Sequence, residues 1–370
     1  MAKLADDELV LTVGPVAHGG HCVARIPESS DDGKPNPDAG RVVFVRHALP
    51  GERVIARITD KGKIWRADAI AILENSSLDR VPTIWPEAGS DGVGGGELAH
   101  VSPDGQRRWK AAVVAEQMRR LAGVDISQLN PDLAVSAVTL GPLHHQPYRA
   151  DTGSMSKYSL TSGGKPQWDD NSHPAQERSL GVDTARGGES ENGYRTRIDL
   201  LVDDQGRAGM RQARSHQIIP LTDMPLATDE LRAFAKAKGV WTKRWKPGSR
   251  LTVIAPANSR PGVPDSQPLL LIDGEPQPRP DGSTGLTELV TVNGRTYTHQ
   301  LAPNGFWQVH AEAPQTLVEA VLAAAGDLEA RRVLELYSGA GLFTLPLAAA
   351  IGSHGKLVTV EGSKPAVEFA

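Results

Sequence analysis

Arg332-Val-Leu-Glu-Leu336, Tyr337-Ser-Gly-Ala-Gly341 and the Ala- and Leu-rich run Leu342 to Ile351 follow one another without a gap. The order reads as a short apolar strand, a glycine turn and a helix. A second apolar strand, Lys356 to Val360, ends in Glu361, twenty residues past Gly341. An acid at that distance can accept hydrogen bonds from ribose hydroxyls, so half of a nucleotide-type βαβ unit is expected. A dinucleotide site wants a third glycine at 344, and Thr344 stands there instead. An NAD-type oxidoreductase is therefore disfavoured. Glu335, at the end of the first strand, would repel a pyrophosphate but attract the cationic amino acid end of S-adenosylmethionine. The competing reading is an α/β turn that holds no cofactor, since Gly339 and Gly341 alone are weak evidence.

Working outward, the chain has 370 residues, enough for two to three domains. Forty Lys and Arg against 44 Asp and Glu leave a formal charge of -4, so binding of a polyanion requires a local basic face. Cys22 is the one cysteine, which excludes an intramolecular disulfide, an all-cysteine zinc site and a four-cysteine iron–sulfur cluster built from these residues. His18, His21 and Cys22, or His144 and His145, lack the spacing of a four-ligand zinc site. The composition predicts a reducing cytoplasm, and no run suits an export signal or a membrane span.

From Glu8 to Leu73, short β-rich runs separated by turn residues predict a small antiparallel barrel. Arg53, Arg57, Lys61, Lys63 and Trp65 in its second half combine charge and an aromatic ring, as a single-strand-binding surface would. A helix is expected over Asp104 to Leu121, with Ala111, Val114, Met118 and Leu121 on its packed face. Thr152 to Asn192, rich in Ser, Gly, Asp, Pro and Gln, reads as a disordered insertion. Strands resume around Tyr194 to Val202 and Ala208 to Ile219, implying a second, α+β domain. Leu231 to Arg250 carries Lys243, Arg244, Lys246 and four further cations without one acid, with Trp241 and Trp245 among them. This cluster is a second candidate nucleic-acid contact. Further strands are expected at Thr287 to Val292 and Arg295 to Gln300, then a helix from Pro314 to Ala325.

Several spaced segments together resemble the S-adenosylmethionine-dependent RNA uridine carbon-5 methyltransferases. Gly20-His-Cys-Val-Ala-Arg25, Val42-Val-Phe-Val45 and Ala48-Leu-Pro-Gly-Glu52 look like that family's N-terminal TRAM barrel. Gln106 to Lys110, Tyr194-Arg-Thr-Arg197, Ser215-His216 and Phe306-Trp-Gln308 resemble its central and junction motifs. Leu334 to Gly341 resembles its donor-binding loop. The resemblance implies an OB-like TRAM β-barrel over 1–75, a central α+β domain over 76–302 containing the insertion at 152–192, and an incomplete Rossmann-like class I methyltransferase α/β domain over 303–370. It assigns donor contacts to Gln308, Tyr337 and Glu361, with the backbone at Gly339 and Gly341 closing around the ligand; Glu335 joins them from the charge argument above. It implies an RNA partner, ribosomal RNA ahead of transfer RNA, and a monomer.

Two departures qualify this resemblance. Many members hold an iron–sulfur cluster on four cysteines, and the matching places here are Trp85, Val93, Gly96 and Met224. No cluster and no structural metal are expected, and packing must hold that loop. The family's nucleophilic cysteine, Asp-Pro-Pro segment and general-base glutamate match nothing up to Ala370. The domain is thus expected to be cut short, with no catalytic residue in these 370 positions and no activity of their own. The alternative is a noncatalytic RNA-binding protein with a vestigial donor fold. Cys22, on a barrel turn, is expected to be a packed thiol.

Overall fold

A computed structural model describes residues 4–30, 33–129, 193–258 and 262–369, with the isolated position 135. The expected insertion at 152–192 and the His144-His145 pair lie outside the described residues. Among those residues, no helix is long and apolar enough to cross a membrane.

Five strands, β1 (Glu8–Ala17), β2 (His21–Arg25), β3 (Val42–Arg46), β4 (Arg53–Asp60) and β5 (Trp65–Glu74), close into a barrel in the order β1-β2-β3-β5-β4. Alternation puts Leu11, Val13, Cys22, Ala24, Val43, Val45, Val54 and Ala56 inside. The expectation of a wholly antiparallel barrel needs correction, because β3 pairs with β5 in parallel. A closed ring with an odd number of strands cannot alternate direction throughout, so one parallel pair is unavoidable. Gly14 lies beside the bulge in β1, where an added Cβ would come within 2.8 Å of the Val23 carbonyl oxygen. The buried carboxylate of Glu52 accepts from the Leu49 N–H (2.8 Å), the Ser77 N–H (3.1 Å) and the Arg80 guanidinium (2.7 and 2.6 Å). Burial alone would raise its pKa; Arg80 and the two amides reverse that and hold it below the ordinary carboxylate value.

Helix α1 (Pro103–Gln117) starts at Ser102, whose side chain accepts from the Gly105 N–H, and a wider turn over Met118–Ala122 ends it. The expected packed face is wrong. Trp109 and Val113 pack against the barrel core, leaving Val114 and Met118 exposed and Leu121 78% exposed. Trp109 offers the larger apolar area, and Gly105 lets that side approach Val101 and Asp79, where a Cβ would sit 2.8–2.9 Å from them. A short helix α2 (Ile126–Leu129) follows.

The central six-stranded sheet runs β11-β10-β9-β6-β7-β8, formed by β6 (Arg197–Val202), β7 (Ala208–Arg211), β8 (Ile218–Pro220), β9 (Arg250–Ile254), β10 (Leu269–Ile272) and β11 (Glu275–Pro276). Helix α3 (Asp229–Lys238), capped by Thr228 and ended by Gly239 at φ +70°, buries Leu231 and Ala235 against it. The hairpin β12 (Leu286–Val292) and β13 (Arg295–Leu301) bridges two clusters. Leu286 and Leu301 pack with Ile254 and Leu269 of the central sheet, while Val290 and Val292 pack with Val318 of helix α4 (Ala313–Ala325) and with Leu342. Last come β14 (Arg332–Leu336), α5 (Thr344–Ile351), β15 (Lys356–Val360) and α6 (Lys364–Phe369). β14 and β15 pair in parallel, Arg332 opposite Lys356 through Leu336 opposite Val360, with α5 as the crossover.

Candidate functional site

The glycine loop joins β14 to α5 at the carboxyl end of the parallel pair. Tyr337 and Ser338 donate their N–H groups to the Val360 carbonyl oxygen at 2.8 and 3.3 Å. Tyr337, Gly339 and Gly341 have φ of +59°, +56° and +78°, a region that favours glycine and marks Tyr337 as held there by its surroundings. Tyr337 is 90% exposed. Glu361 leaves β15 and turns back: its Oε2 accepts the Gly339 N–H at 2.8 Å and its Oε1 the Ser363 N–H at 2.7 Å. Those amides hold its carboxyl below the usual range.

Glu335 is buried beneath the loop. Its Oε2 accepts the Thr344 hydroxyl at 2.7 Å, while Oε1 is buried without a partner among the described residues. Burial raises its pKa, and the Thr344 hydrogen bond opposes the rise. Sequence reasoning took Thr344 only as a missing glycine; a hydroxyl at the first position of the helix, near an acid at the strand end, was the available signal. Ala340 packs on the same cluster as Trp307, and the Trp307 ring lies 5.2 Å from that of buried His299. Gln308, half-buried and next to Trp307, makes no side-chain hydrogen bond among the described residues. Glu335 and Glu361 therefore flank the loop that carries Tyr337, Gly339 and Gly341, and Gln308 neighbours it through Trp307.

The donor set can be tested against the two groups that the resemblance implies. A Cβ built on Gly339 meets nothing within 4 Å, so the loop opens onto free space, and the orphaned Glu335 oxygen suits a cationic ligand. These residues fit S-adenosylmethionine. The iron–sulfur cluster does not fit. Trp85, Val93 and Met224 are buried in one apolar cluster with Ala88, and a Cβ on Gly96 would collide with Ala88 and the Trp85 ring. None of the four places carries a thiolate. Among the described residues, no three metal-binding side chains cluster. Cys22 is fully buried, its Sγ 3.4 Å from the Ala48 carbonyl oxygen, and burial pushes its thiol up to about 12.

The candidate RNA-contacting residues lie on the barrel strands β4 and β5 with the turn between them, and after helix α3. Arg53 pairs with Glu74 at 2.7 Å, and Arg57 with Asp91 at 2.8 Å and Glu8 at 3.5 Å. Lys61 and Lys63 are exposed. Trp65 is only 8% exposed and packs in the barrel core, with Arg41 and Lys61 lying over its ring at 4.8 and 5.3 Å. It is no stacking platform. Lys243, Arg244 and Lys246 are exposed, but Trp241 and Trp245 pack on the central core. The Trp245 indole N–H donates to the Val240 carbonyl at 3.0 Å. Both indoles are half-buried against that core, and the Lys243 ammonium lies over the Trp245 ring at 5.9 Å.

Residues 283–370 match the family described as tRNA (Uracil-5-)-methyltransferase, and residues 7–63 match the TRAM domain. An uncharacterized RNA methyltransferase of Bifidobacterium longum is 35% identical over 373 residues, spanning 96% of this chain and 70% of its own. The 23S rRNA (uracil(1939)-C(5))-methyltransferase of Acinetobacter baumannii is 26% identical, spanning 100% of this chain and 74% of its own. The solved structure of Pyrococcus abyssi tRNA (uracil-54, C5)-methyltransferase in complex with S-adenosyl-L-homocysteine aligns over 97% of this chain and 75% of that one, with a TM-score of 0.46 and 16% identity.

Proposed function

This chain belongs to the RNA uridine carbon-5 methyltransferase family, and on that premise we propose that it transfers a methyl group from S-adenosylmethionine to carbon 5 of a uridine in RNA, ribosomal RNA ahead of transfer RNA. The observation that supports this most is the loop Tyr337–Gly341, left-handed at three positions, open above Gly339 and underlaid by an unpartnered carboxylate oxygen. When bound, S-adenosylmethionine supplies an electrophilic methyl group on a sulfonium centre. Glu335 would hold the ammonium end through Oε1, the oxygen that has no partner among the described residues. Glu361, oriented by the Gly339 and Ser363 amides, would accept from the ribose hydroxyls. Tyr337 and Gln308 complete the donor contacts.

Carbon 5 of uracil is a weak nucleophile, so the family chemistry adds a thiolate to carbon 6 and later removes the carbon-5 proton with a base. Cys22 does not supply that thiolate, because its sulfur is sealed in the barrel core and holds its proton at neutral pH. The covalent step is therefore assigned to no residue described here. Nothing in the fold or the comparisons supports the expectation that these 370 residues are inactive. The domain division at 75 and 302 stands as part of the proposal, with the hairpin at 286–301 packing on both sides of the second boundary.

The test is transfer of tritiated methyl from S-adenosylmethionine to ribosomal and transfer RNA, with 5-methyluridine identified by mass spectrometry and donor binding measured by calorimetry. Donor binding that is lost in Gly339→Val and 5-methyluridine in ribosomal RNA are expected. RNA binding with no donor binding would replace this reading with a noncatalytic RNA-binding protein.

A further inference from the structure

Along β5, Trp65, Ala67 and Ala69 enter the barrel core, which turns Arg66 outward; along β3, Val43 and Val45 enter and Phe44 stays outside. On β2, Cys22 and Ala24 enter, and His21 faces out. The registers set Phe44 opposite both Val23 and Arg66, and Arg46 opposite both His21 and Asp68. Three adjacent strands thus present one outer patch of His21, Phe44 and Arg66 over a buried Arg46–Asp68 pair, bidentate at 2.7 and 2.5 Å. The His21 ring meets Phe44 edge-on at 6.2 Å.

A second element closes over this patch. Arg214, in the turn between β7 and β8 of the central sheet, has φ +60° and places its Nη2 2.6 Å from His21 Nε2. That contact makes His21 the acceptor, with a neutral ring. Burial, then Arg214, lowers the His21 pKa, and burial, then Arg66 and Arg46, lowers that of Arg214. The acids facing the patch are Asp68, used by Arg46, and Asp60, which reaches Arg66 only at 3.5 Å. Arg214 contacts no carboxylate among the described residues. Two guanidiniums thus converge beside a half-exposed ring with too little negative charge to balance them, an arrangement that an incoming anion stabilises.

We propose that this seam between barrel and central sheet binds single-stranded RNA, with a base stacked on Phe44 and the flanking phosphates held by Arg66 and Arg214. The proposal rests on the RNA reading above but names residues that reading does not use. Aromatic stacking tolerates any base, so the seam grips the strand without choosing the uridine.

The experiment is fluorescence anisotropy with a labelled single-stranded RNA of about 12 nucleotides, within the site size of such barrels, over a range of salt concentrations. Arg66→Ala and Arg214→Ala are each expected to reduce the slope of log K against log salt by about 0.7, the loss of one phosphate contact on a single strand. Phe44→Ala is expected to weaken binding about five-fold or more with the slope unchanged. Arg66→Lys and Arg214→Lys keep the slope, and thermal midpoints show that each variant is folded; where an alanine variant is not, the Gln variant replaces it. Folded variants that bind like the wild type overturn the seam alone. A duplex that binds as tightly as the single strand, or single-strand binding that is unchanged in Phe44→Ala, overturns the stacking role. Wild-type protein that binds no RNA overturns both the seam and the function proposed above, whereas failure to bind S-adenosylmethionine touches only the latter.

Discussion

The barrel and the glycine-loop unit are built on opposite principles. In the barrel, apolar side chains point inward from a ring without edges, and the buried charges Glu52 and Asp68 each meet an arginine. In the loop unit, two parallel strands leave Leu334 63% and Leu336 57% exposed, and Glu335 keeps one buried oxygen unpartnered. A two-stranded pair is marginal by itself. The contrast lies in the buried acids: those of the barrel each meet an arginine, whereas Glu335 keeps one oxygen without a partner among the described residues, where a cationic ligand would supply one.

The largest effect is expected in the barrel. Glu52→Ala strands the Arg80 guanidinium and two amides, and should cost about 3–5 kcal/mol in urea unfolding followed by circular dichroism. A loss below 1 kcal/mol would show that the barrel does not depend on its buried charge. Next comes the hairpin beneath the loop. Burial, opposed only by the Ala257 N–H, raises the Glu288 carboxyl to about 8. A carboxyl whose folded pKa lies above its unfolded value binds the extra proton in the native state, so stability falls as pH rises from the ordinary carboxylate range towards 8. Unfolding midpoints across that window should decline in the wild type and flatten in Glu288→Gln.

Smaller effects separate the loop from the barrel. Thr344→Val removes the one hydrogen bond to Glu335 and should cost about 1–3 kcal/mol. If donor binding survives in Glu335→Gln with the fold intact, Glu335 is not its partner. The smallest expected change is in Glu361→Gln, which weakens the acceptor for two amides. Donor affinity, read by calorimetry, should drop several-fold while the melting temperature stays put.

Much of this architecture was legible because strand alternation and turn residues are local signals. The runs around Leu9–Val13, Val42–Val45 and Arg53–Ile58 became barrel strands, and Arg332 to Val360 became strand, glycine loop, helix and parallel strand. Direction and partnership were not legible. Whether Trp65 or Arg66 faces solvent depends on a shift of one residue, which composition cannot fix. The packed side of α1 was misread because Trp109 outweighs the four smaller apolar residues Ala111, Val114, Met118 and Leu121. The Arg214–His21 contact joins positions 193 apart, and nothing in the run 231–250 tells that Trp241 and Trp245 pack against the central core.

The way the barrel closes also sets a timetable for its synthesis. Val13 to Ala17 of β1 find β2 within a few residues, but Glu8 to Thr12 pair only with Arg53 to Arg57 of β4. At roughly 5–20 residues per second, the first half of that strand waits about 2–10 s for its partner to emerge from the ribosome. Leu9, Val10 and Leu11 are presented during that interval as an unpaired apolar edge, the kind of segment that chaperones capture and aggregation recruits. Ring closure thus gives the finished barrel no edge and lends the nascent chain a temporary one.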